Sequence, residues 1–473
     1  MSEAKNISKN TFFLFLSTLI RFAANMILMA LIARTVGVED FGKLTFAISF
    51  TGLFIVFADY GFSPLAIREI ARDKSILHKF VGNALFCKFF FSALTIALIC
   101  IVINLMNYPD ITKDVVYVFS CVVVLYSFIA FFNSVFRGIE KMEYETVISF
   151  IQNLLLLFFV TIALLLKPHI FQISIAYLLS RAVSFGISAA YYKKKIGKIN
   201  LQPDRIYEKD ILRKAFPFGL HTIFGLIYFQ IDTVMLSIMK GDVEVGYYQA
   251  SMRVILAGLI ISDVIMNAFY PVLSRLFKQG IDALRNQARY MNKILFVLGV
   301  PFSAFMFILS NEIIHILYGA GYDKSILILQ ILAWLLMLRF FGSAYGLVIT
   351  SANRQSLRMY SVFVASVVNI GLNLVLIPKY GNIGASVATV ITNSILMIVY
   401  ILITKRLLNS FIVDLSFFKT ILLTATFGVA VYYFKGYNFV LTTGFILIYI
   451  IFMYVYIFTT EEKNAVFRLL RRK

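Results

Sequence analysis

Eight charged side chains stand inside stretches that are otherwise apolar: Arg21, Lys88, Arg181, Arg253 and Arg339, against Asp59, Asp232 and Asp263. A charge within a bilayer costs a few kcal/mol on insertion scales, so each is expected to face a cavity or a partner. Five cations against three anions leave a positive excess, which suits an anionic ligand. Arginine suits phosphate in particular, because its planar fork donates two parallel hydrogen bonds. Arg21, Arg253, Arg181, Arg339 and Lys88 are therefore candidate substrate-binding residues. The competing reading is interhelical ion pairing, for instance Arg21 with Asp232. Asn25 lies one helical turn from Arg21 and shares its face. Tyr228 with Asp232, and Asn369 with Asn373, form similar polar stripes, and for the asparagines interhelical hydrogen bonding is the favoured reading. Asp232, Asp59 and Asp263 are candidates for gating or ion coupling, and each of the last two is placed to pair with a nearby Arg.

Other chemistry finds little support. There is no His-Glu-x-x-His, Asp-x-Asp or Gly-x-Ser-x-Gly, so no enzyme, metal site or cofactor is expected. The four histidines, His78, His169, His221 and His315, are scattered. Cys87, Cys100 and Cys121 fall inside apolar runs and read as small buried hydrophobes. The stretch Gly37-Val-Glu-Asp-Phe-Gly42-Lys43-Leu44 approximates a phosphate-binding loop. That motif needs Ser or Thr after the lysine and a preceding strand. Leu44 fails the first requirement and an apolar helix the second, so the glycines read as a tight turn.

The elements that carry these residues are fourteen apolar stretches, at approximately 11–33, 42–63, 80–103, 115–136, 146–166, 170–191, 214–239, 246–271, 291–310, 325–350, 358–377, 383–404, 416–434 and 438–459. Each is about 20 residues, enough to cross a hydrocarbon core roughly 30 Å thick. The backbone must satisfy itself there, so the spans are helices and the chain is an all-α polytopic membrane protein. Composition agrees, with 60% hydrophobic and 14% charged residues. The net charge of +20 is spread over many small loops rather than one face, which argues against nucleic acid. By our count 31 Lys and Arg fall on one side, eight on the other and five within spans. That bias places both termini in the cytoplasm. The first stretch is too long for a signal-peptide core and is expected to remain as a span.

Gly37-Val-Glu-Asp-Phe-Gly42 returns as Gly241-Asp-Val-Glu-Val-Gly246, an offset of 204 that also sets Asp59 over Asp263. A weaker match pairs Tyr144 with Tyr360 and Asn153 with Asn369. The changed offset implies extra residues in the second half, near Asn311 to Tyr322. Residues 1–192 and 214–406 thus read as two six-helix lobes joined by a basic loop, 193–213, with two appended helices and a basic tail over 407–473. An even number of helices per half makes the repeat parallel, as in transporters that hold substrate between halves.

Three stretches resemble the polysaccharide-transporter branch of the MOP flippase superfamily, closest to Wzx-type flippases of O-antigen and capsule repeat units. They are Ala33 to Ser49; Ala58-Asp59-Tyr60-Gly61-Phe62 with Ile67-Arg68-Glu69-Ile70-Ala71-Arg72; and Asn369 to Thr389, the most specific. The resemblance implies two lobes in a V around a cationic cavity, alternating access, and an oligosaccharide on undecaprenyl pyrophosphate as substrate, moved to the outer leaflet of a bacterial inner membrane. In related lipid II flippases arginines on spans 1 and 8 face the cavity, the spans that hold Arg21 and Arg253, and two added helices form a lipid-tail groove. Expected partners are membrane lipids and, in the same assembly line, a polysaccharide polymerase and chain-length regulator, with the flippase itself a monomer. About two negative charges leaving an inside-negative cell gain roughly 4–5 kcal/mol per 100 mV, so membrane potential, sodium or protons are the coupling sources to consider. The alternatives are a multidrug exporter of the same superfamily, whose cavity should be acidic, and a membrane polymerase or ligase, which should carry a large external catalytic loop.

Overall fold

A computed structural model describes the backbone at residues 2–166, 168–199, 201, 203–413, 416–434 and 439–457. Side chains are described within those stretches except at 2–24, 221, 439–443, 445–447 and 454. Fourteen helices follow in order: α1 Ser2–Asp59, α2 Phe62–Arg72, α3 Leu77–Leu105, α4 Asp110–Gly138, α5 Met142–Leu166, α6 Ile170–Lys195, α7 Arg205–Lys240, α8 Asp242–Phe277, α9 Ile281–Ile308, α10 Ser310–Tyr318, α11 Lys324–Ser351, α12 Gln355–Leu408, α13 Ser416–Phe434 and α14 Phe439–Ile457. Among the described residues eleven helices are long and apolar enough to cross a membrane. Two of the fourteen are double. At 1.5 Å per residue the 54 residues of α12 would run about 80 Å, far beyond one bilayer core. Non-helical backbone at Gly381 divides it into two spans, and Gly37 does the same for α1. With α2 and α10 short and α14 fully apolar, fourteen spans result, as the hydropathy pattern predicts.

The repeat is written in the backbone. Gly37 (φ 80°, ψ 178°) and Gly241 (φ 85°, ψ −179°) turn the chain between helices with the same dihedrals. This region is essentially open to glycine alone. α3 begins at Leu77 and α9 at Ile281, still 204 apart. Past α10 the offset becomes 213. The turn after α4 has Glu140 at φ 63°, and the turn after α11 has Asn353 at φ 58°. Three backbone bonds at the first turn, Glu140 N–H to Arg137, Lys141 N–H to Phe136 and Tyr144 N–H to Lys141, recur as Asn353 to Thr350, Arg354 to Ile349 and Leu357 to Arg354. The added nine residues equal the length of α10, inside the region expected from sequence. The pairing of Tyr144 with Tyr360, an offset of 216, is corrected to 213. Three residues is close to one helical turn, so isolated identities on one face do not fix the register.

The chain forms two compact units. The first comprises residues 1–250 with 373–382, the second 251–372 with 383–473. In the first, α4 packs on α6 and α1 packs on α3, α4, α5 and α7. Ser174, Ser180, Ser184 and Ser188 of α6 are all buried, and α6 packs on both α4 and α5. Three of these hydroxyls bond their own helix four residues back, which satisfies them without water. α1 and α8 cross at glycine. A Cβ on Gly42 would overlap the Asp242 carbonyl oxygen, and one on Gly246 would overlap that of Val38. These two contacts map onto each other at offset 204. In the second unit α9 packs on α11 and α13, and α13 on α14. α9 also grips the chain leaving α12. Arg285 donates to Leu408 O, Arg289 to Ser410 Oγ, and Asn292 to Ile412 O at 2.6 Å. Spaced over two turns of one face, these side chains hold the last helical carbonyl, Leu408 O, and a hydroxyl and a carbonyl of the segment that follows it.

Candidate functional site

The first-unit residues that the sequence singles out fall at three places among the described residues. At the end of α1 the helix breaks, with Tyr60 and Gly61 at positive φ. Lys88 of α3, fully buried, reaches into that break. Its ammonium donates to Ala58 O at 3.1 Å, Asp59 Oδ1 at 3.0 Å and Ser127 Oγ at 2.6 Å. Three donors thus meet three acceptors, and the rings of Phe128 and Phe131 lie beside the charge. Asp59 in turn accepts from the Ser63 hydroxyl at 2.6 Å and its N–H at 3.2 Å, so it also starts α2. The partner of Asp59 is a lysine, where the sequence suggested an arginine.

Asp232, buried on α7, accepts from Asn373 Nδ2 at 2.6 Å and from the Tyr248 hydroxyl at 3.2 Å. Next to it Gln249 donates to Thr233. At the third place a single cation stands beside tyrosines. Arg181 on α6 is half-buried, with its guanidinium 5.4 Å from the Tyr126 ring centroid. Tyr177 is the other group within its electrostatic reach, and among the described residues Arg181 has no carboxylate partner. Asn25 is half-buried on α1. The side chain of Arg21 lies outside the described residues, as does that of His221, so the suggested Arg21–Asp232 pair does too.

In the second unit Arg253 on α8 and Arg339 on α11 are half-buried. Arg253 lies within electrostatic reach of Tyr318 on α10, and Arg339 within that of Asp263, which is exposed. Asn369 is buried, as Asn373 is. A groove of about 930 Å³ runs between α9, α11, α12 and α13, with walls that include Phe296, Phe307, Trp334, Met397 and Tyr432. A smaller one of about 340 Å³ is bounded by α8, α9, α11 and α14. Both are almost wholly apolar, so they suit a hydrocarbon chain rather than a charged group.

Comparison with known proteins bears on this geometry. The family model for polysaccharide biosynthesis proteins matches residues 7–277, more than half of the chain. The chain belongs to that family. The MatE family model also matches, over residues 217–375. This polysaccharide biosynthesis family member is 23% identical to the putative O-antigen transporter of Escherichia coli (strain K12), over 80% of this chain and 92% of that protein. It is 20% identical to the capsular polysaccharide biosynthesis protein CapF of Staphylococcus aureus, over 84% and 99%. In structure it is similar to the lipid II flippase MurJ in an inward closed conformation, with a TM-score of 0.76 at 18% identity over 97% of this chain and 100% of that one. At that identity the likeness carries the fold.

Several partners in these family-member clusters are not evident from sequence. Tyr248 and Ser127 are hydroxyl donors and acceptors on ordinary apolar helices. Tyr248 had a usable signal: it and Asp232 are equidistant from Lys240, so a tight α7–α8 hairpin sets them side by side. Ser127 had none. The lysine of the phosphate-loop-like stretch is taken by its own neighbours, since Lys43 pairs with Glu39 at 2.8 Å and Asp40 at 2.9 Å.

Proposed function

We propose that this chain is a flippase that carries a lipid-linked oligosaccharide from the cytoplasmic to the outer leaflet of a bacterial plasma membrane, for O-antigen, capsule or a related surface polymer. Membership in the polysaccharide biosynthesis family, on a match to residues 7–277, is the observation that carries this reading. The named roles of the relatives in O-antigen transport and capsular synthesis point the same way. The carrier is undecaprenyl pyrophosphate, the lobes are residues 1–192 and 214–406, and both termini are cytoplasmic. The protein acts as a transporter rather than an enzyme, as a monomer among membrane lipids, and hands its cargo to a polymerase.

In this reading arginine binds the diphosphate, with Arg21, Arg253, Arg181 and Arg339 as the candidates. The half-buried position of Arg181, without a carboxylate partner among the described residues, supports its share. Asn25 contributes from the helix of Arg21. Lys88 and Asp59 serve each other, and their role is to hold the helix break at the end of α1. Asp232, lodged between Asn373 and Tyr248, is the residue through which an ion or the membrane potential couples. Asp263 with Arg339 forms the gate pair. The apolar grooves beside α13 and α14 take the carrier tail. A multidrug exporter has the MatE match in its favour, but its cationic cargo is poorly served by this excess of intramembrane arginine.

The test is a deletion strain analysed for lipid-linked oligosaccharide by mass and by leaflet. Accumulation on the cytoplasmic leaflet with loss of surface polymer is expected. Normal surface polymer, or completed repeat units that still reach the outer leaflet, would overturn the proposal.

A further inference from the structure

The start of α7 carries a charge pattern that transport does not require. Arg205, Lys209 and Arg213 follow one another at intervals of four, so they form one stripe down the first three turns, and all are exposed. The stripe is free. Among the described residues none of the three has a carboxylate partner, whereas four other cations nearby do: Lys79 pairs with Asp204 at 2.9 Å, Lys214 with Asp210 at 2.6 Å, Lys74 with Glu140 and Arg137 with Glu145; the exposed Lys193, Lys194, Lys195 and Lys198 precede the stripe on the same stretch of chain. Glu208 is half-buried and off the exposed stripe.

Exposed apolar residues accompany the charges. Ile206 is 86% exposed, Leu201 precedes the helix, and Phe216 and Leu220 continue the same side of α7 toward the span. From Arg213 to Phe216 is three residues, about 4.5 Å, and from Arg205 about 16 Å, at 1.5 Å per residue. The headgroup layer occupies roughly 5–8 Å on each side of the hydrocarbon. With Phe216 at the hydrocarbon edge, Arg213 lies among the headgroups, and Lys209, about 10 Å out, and Arg205, about 16 Å out, stand over their outer surface with long side chains that reach back toward them. The opposite side of these turns is occupied, since Asp204 N–H donates to Asn83 Oδ1, Lys79 sits over the Tyr207 ring and Ile211 and Ala215 are buried. The helix is therefore fixed to α3 and cannot turn its basic side away.

We propose that Arg205, Lys209 and Arg213 form a docking stripe for the phosphodiester headgroups of anionic phospholipids. Basic residues are favoured in loops on one side of any membrane protein. What that rule does not require is an unpaired i, i+4, i+8 register set directly above exposed apolar residues on a helix clamped from behind. Each basic residue near an anionic surface is worth about fivefold in partitioning, so three amount to on the order of a hundredfold.

The experiment uses the full chain in lipid nanodiscs. Phe216→Cys, in a background with the three native cysteines replaced, carries a fluorophore at the hydrocarbon edge, and phosphatidylglycerol or phosphatidylcholine with brominated acyl chains quenches it. The unsubstituted stripe should be quenched by phosphatidylglycerol at a mole fraction at least tenfold lower than by phosphatidylcholine. The triple variant Arg205→Gln, Lys209→Gln, Arg213→Gln should lose that preference while quenching by phosphatidylcholine stays unchanged, which certifies that the segment remains at the surface. Arg205→Lys with Arg213→Lys should keep it. Equal quenching of the unsubstituted stripe by the two lipids overturns the proposal whatever the variants do. So does a preference that survives the triple variant, or one that millimolar inorganic phosphate abolishes, since the ligand would then be a free anion. Flipping is not measured, so the result stands apart from the proposed function.

Discussion

At the residue scale the intramembrane charges divide by how they are satisfied. Lys88 is enclosed, and its charge is cancelled by Asp59 within a cage of two carbonyl or hydroxyl acceptors and two rings. Removing one member of such a pair leaves a buried charge and costs about 3–5 kcal/mol, while replacing both by apolar side chains is close to neutral. Lys88→Met is therefore expected to lower the unfolding midpoint in detergent sharply, and Asp59→Leu with Lys88→Met to recover most of it. If the double variant also recovers surface polymer, Lys88 holds structure and does not touch substrate. Arg181 is the contrasting case, stacked on Tyr126 with no carboxylate to lose. Arg181→Gln should leave the midpoint within about 1 kcal/mol of the parent, the range usual where no buried pair is broken, yet depress polymer export, with Arg181→Lys intermediate. Equal export in all three would remove it from the site. Outside the spans, Asp204 caps α7, and its carboxyl is held below the usual range by the hydrogen bond from Lys79 and then by the N–H of Tyr207. A depressed carboxyl contributes stability above its unfolded value and loses it as pH falls through the folded one. Protection of the Ile206 and Tyr207 amides from hydrogen exchange should hold from neutrality down to about pH 4, the ordinary Asp value, and fade below it, and Asp204→Ala should abolish it at every pH. The charged residues themselves were legible because charge is rare in apolar runs. Most of their partners were not, because Ser127 and Tyr126 are ordinary in a membrane helix and acquire meaning only through packing, while Tyr248 could have been found from its place across the α7–α8 hairpin from Asp232.

At the element scale the glycines explain why the repeat survived as a readable motif. Gly37 and Gly241 hold a dihedral region closed to other residues, and Gly42 and Gly246 let α1 and α8 touch backbone to backbone. Each therefore has a steric reason to be glycine, so the hexapeptide stands out at offset 204. The later register was misread by three residues because Tyr144 and Asn153 have no comparable constraint. Helix ends were harder still. Hydropathy gives two spans, 11–33 and 42–63, where the helix of α1 runs on through Gly37 to Asp59, and it gives no sign of α10, whose nine residues are too short to register as a span. The crossing makes a sharp expectation. Gly42→Ala and Gly246→Ala should each destabilise the folded protein, since a Cβ there meets a carbonyl oxygen that belongs to the backbone and cannot rotate away. Gly186, with open space around it, should tolerate Ala or gain up to about 1 kcal/mol from helix propensity. Thermal unfolding of the three variants in one detergent checks this. A Gly42→Ala protein as stable as Gly186→Ala would mean that the crossing is not tight in the membrane.

At the scale of the whole molecule, fourteen spans and a parallel repeat constrain orientation more firmly than charge alone. Each repeat contributes six spans, so α1 and α7 both begin on the side where the chain begins, and every turn after an odd-numbered span lies on the opposite side. Asn107 follows the third span and Lys240 the seventh, while Lys195 follows the sixth and Gln279 the eighth. Parity thus separates these positions into two pairs, and the basic bias of 31 to eight predicts that Lys195 and Gln279 form the cytoplasmic pair. Parity alone does not name the side, and the bias is counted over loops that parity has grouped, so the charge argument rests on the span count. Single cysteines at the four positions, in protein without Cys87, Cys100 and Cys121, should label with an impermeant maleimide as follows: Asn107 and Lys240 in intact cells, Lys195 and Gln279 only after permeabilisation. Gly436 and Lys473, which the sequence predicts to lie outside and inside, are beyond the described residues and would extend the same test. If all four reverse together, the charge argument fails and the span count holds. If Lys195 and Gln279 separate from each other, the count itself is wrong between α6 and α8, and with it the correspondence of Asp59 to Asp263 across the repeat.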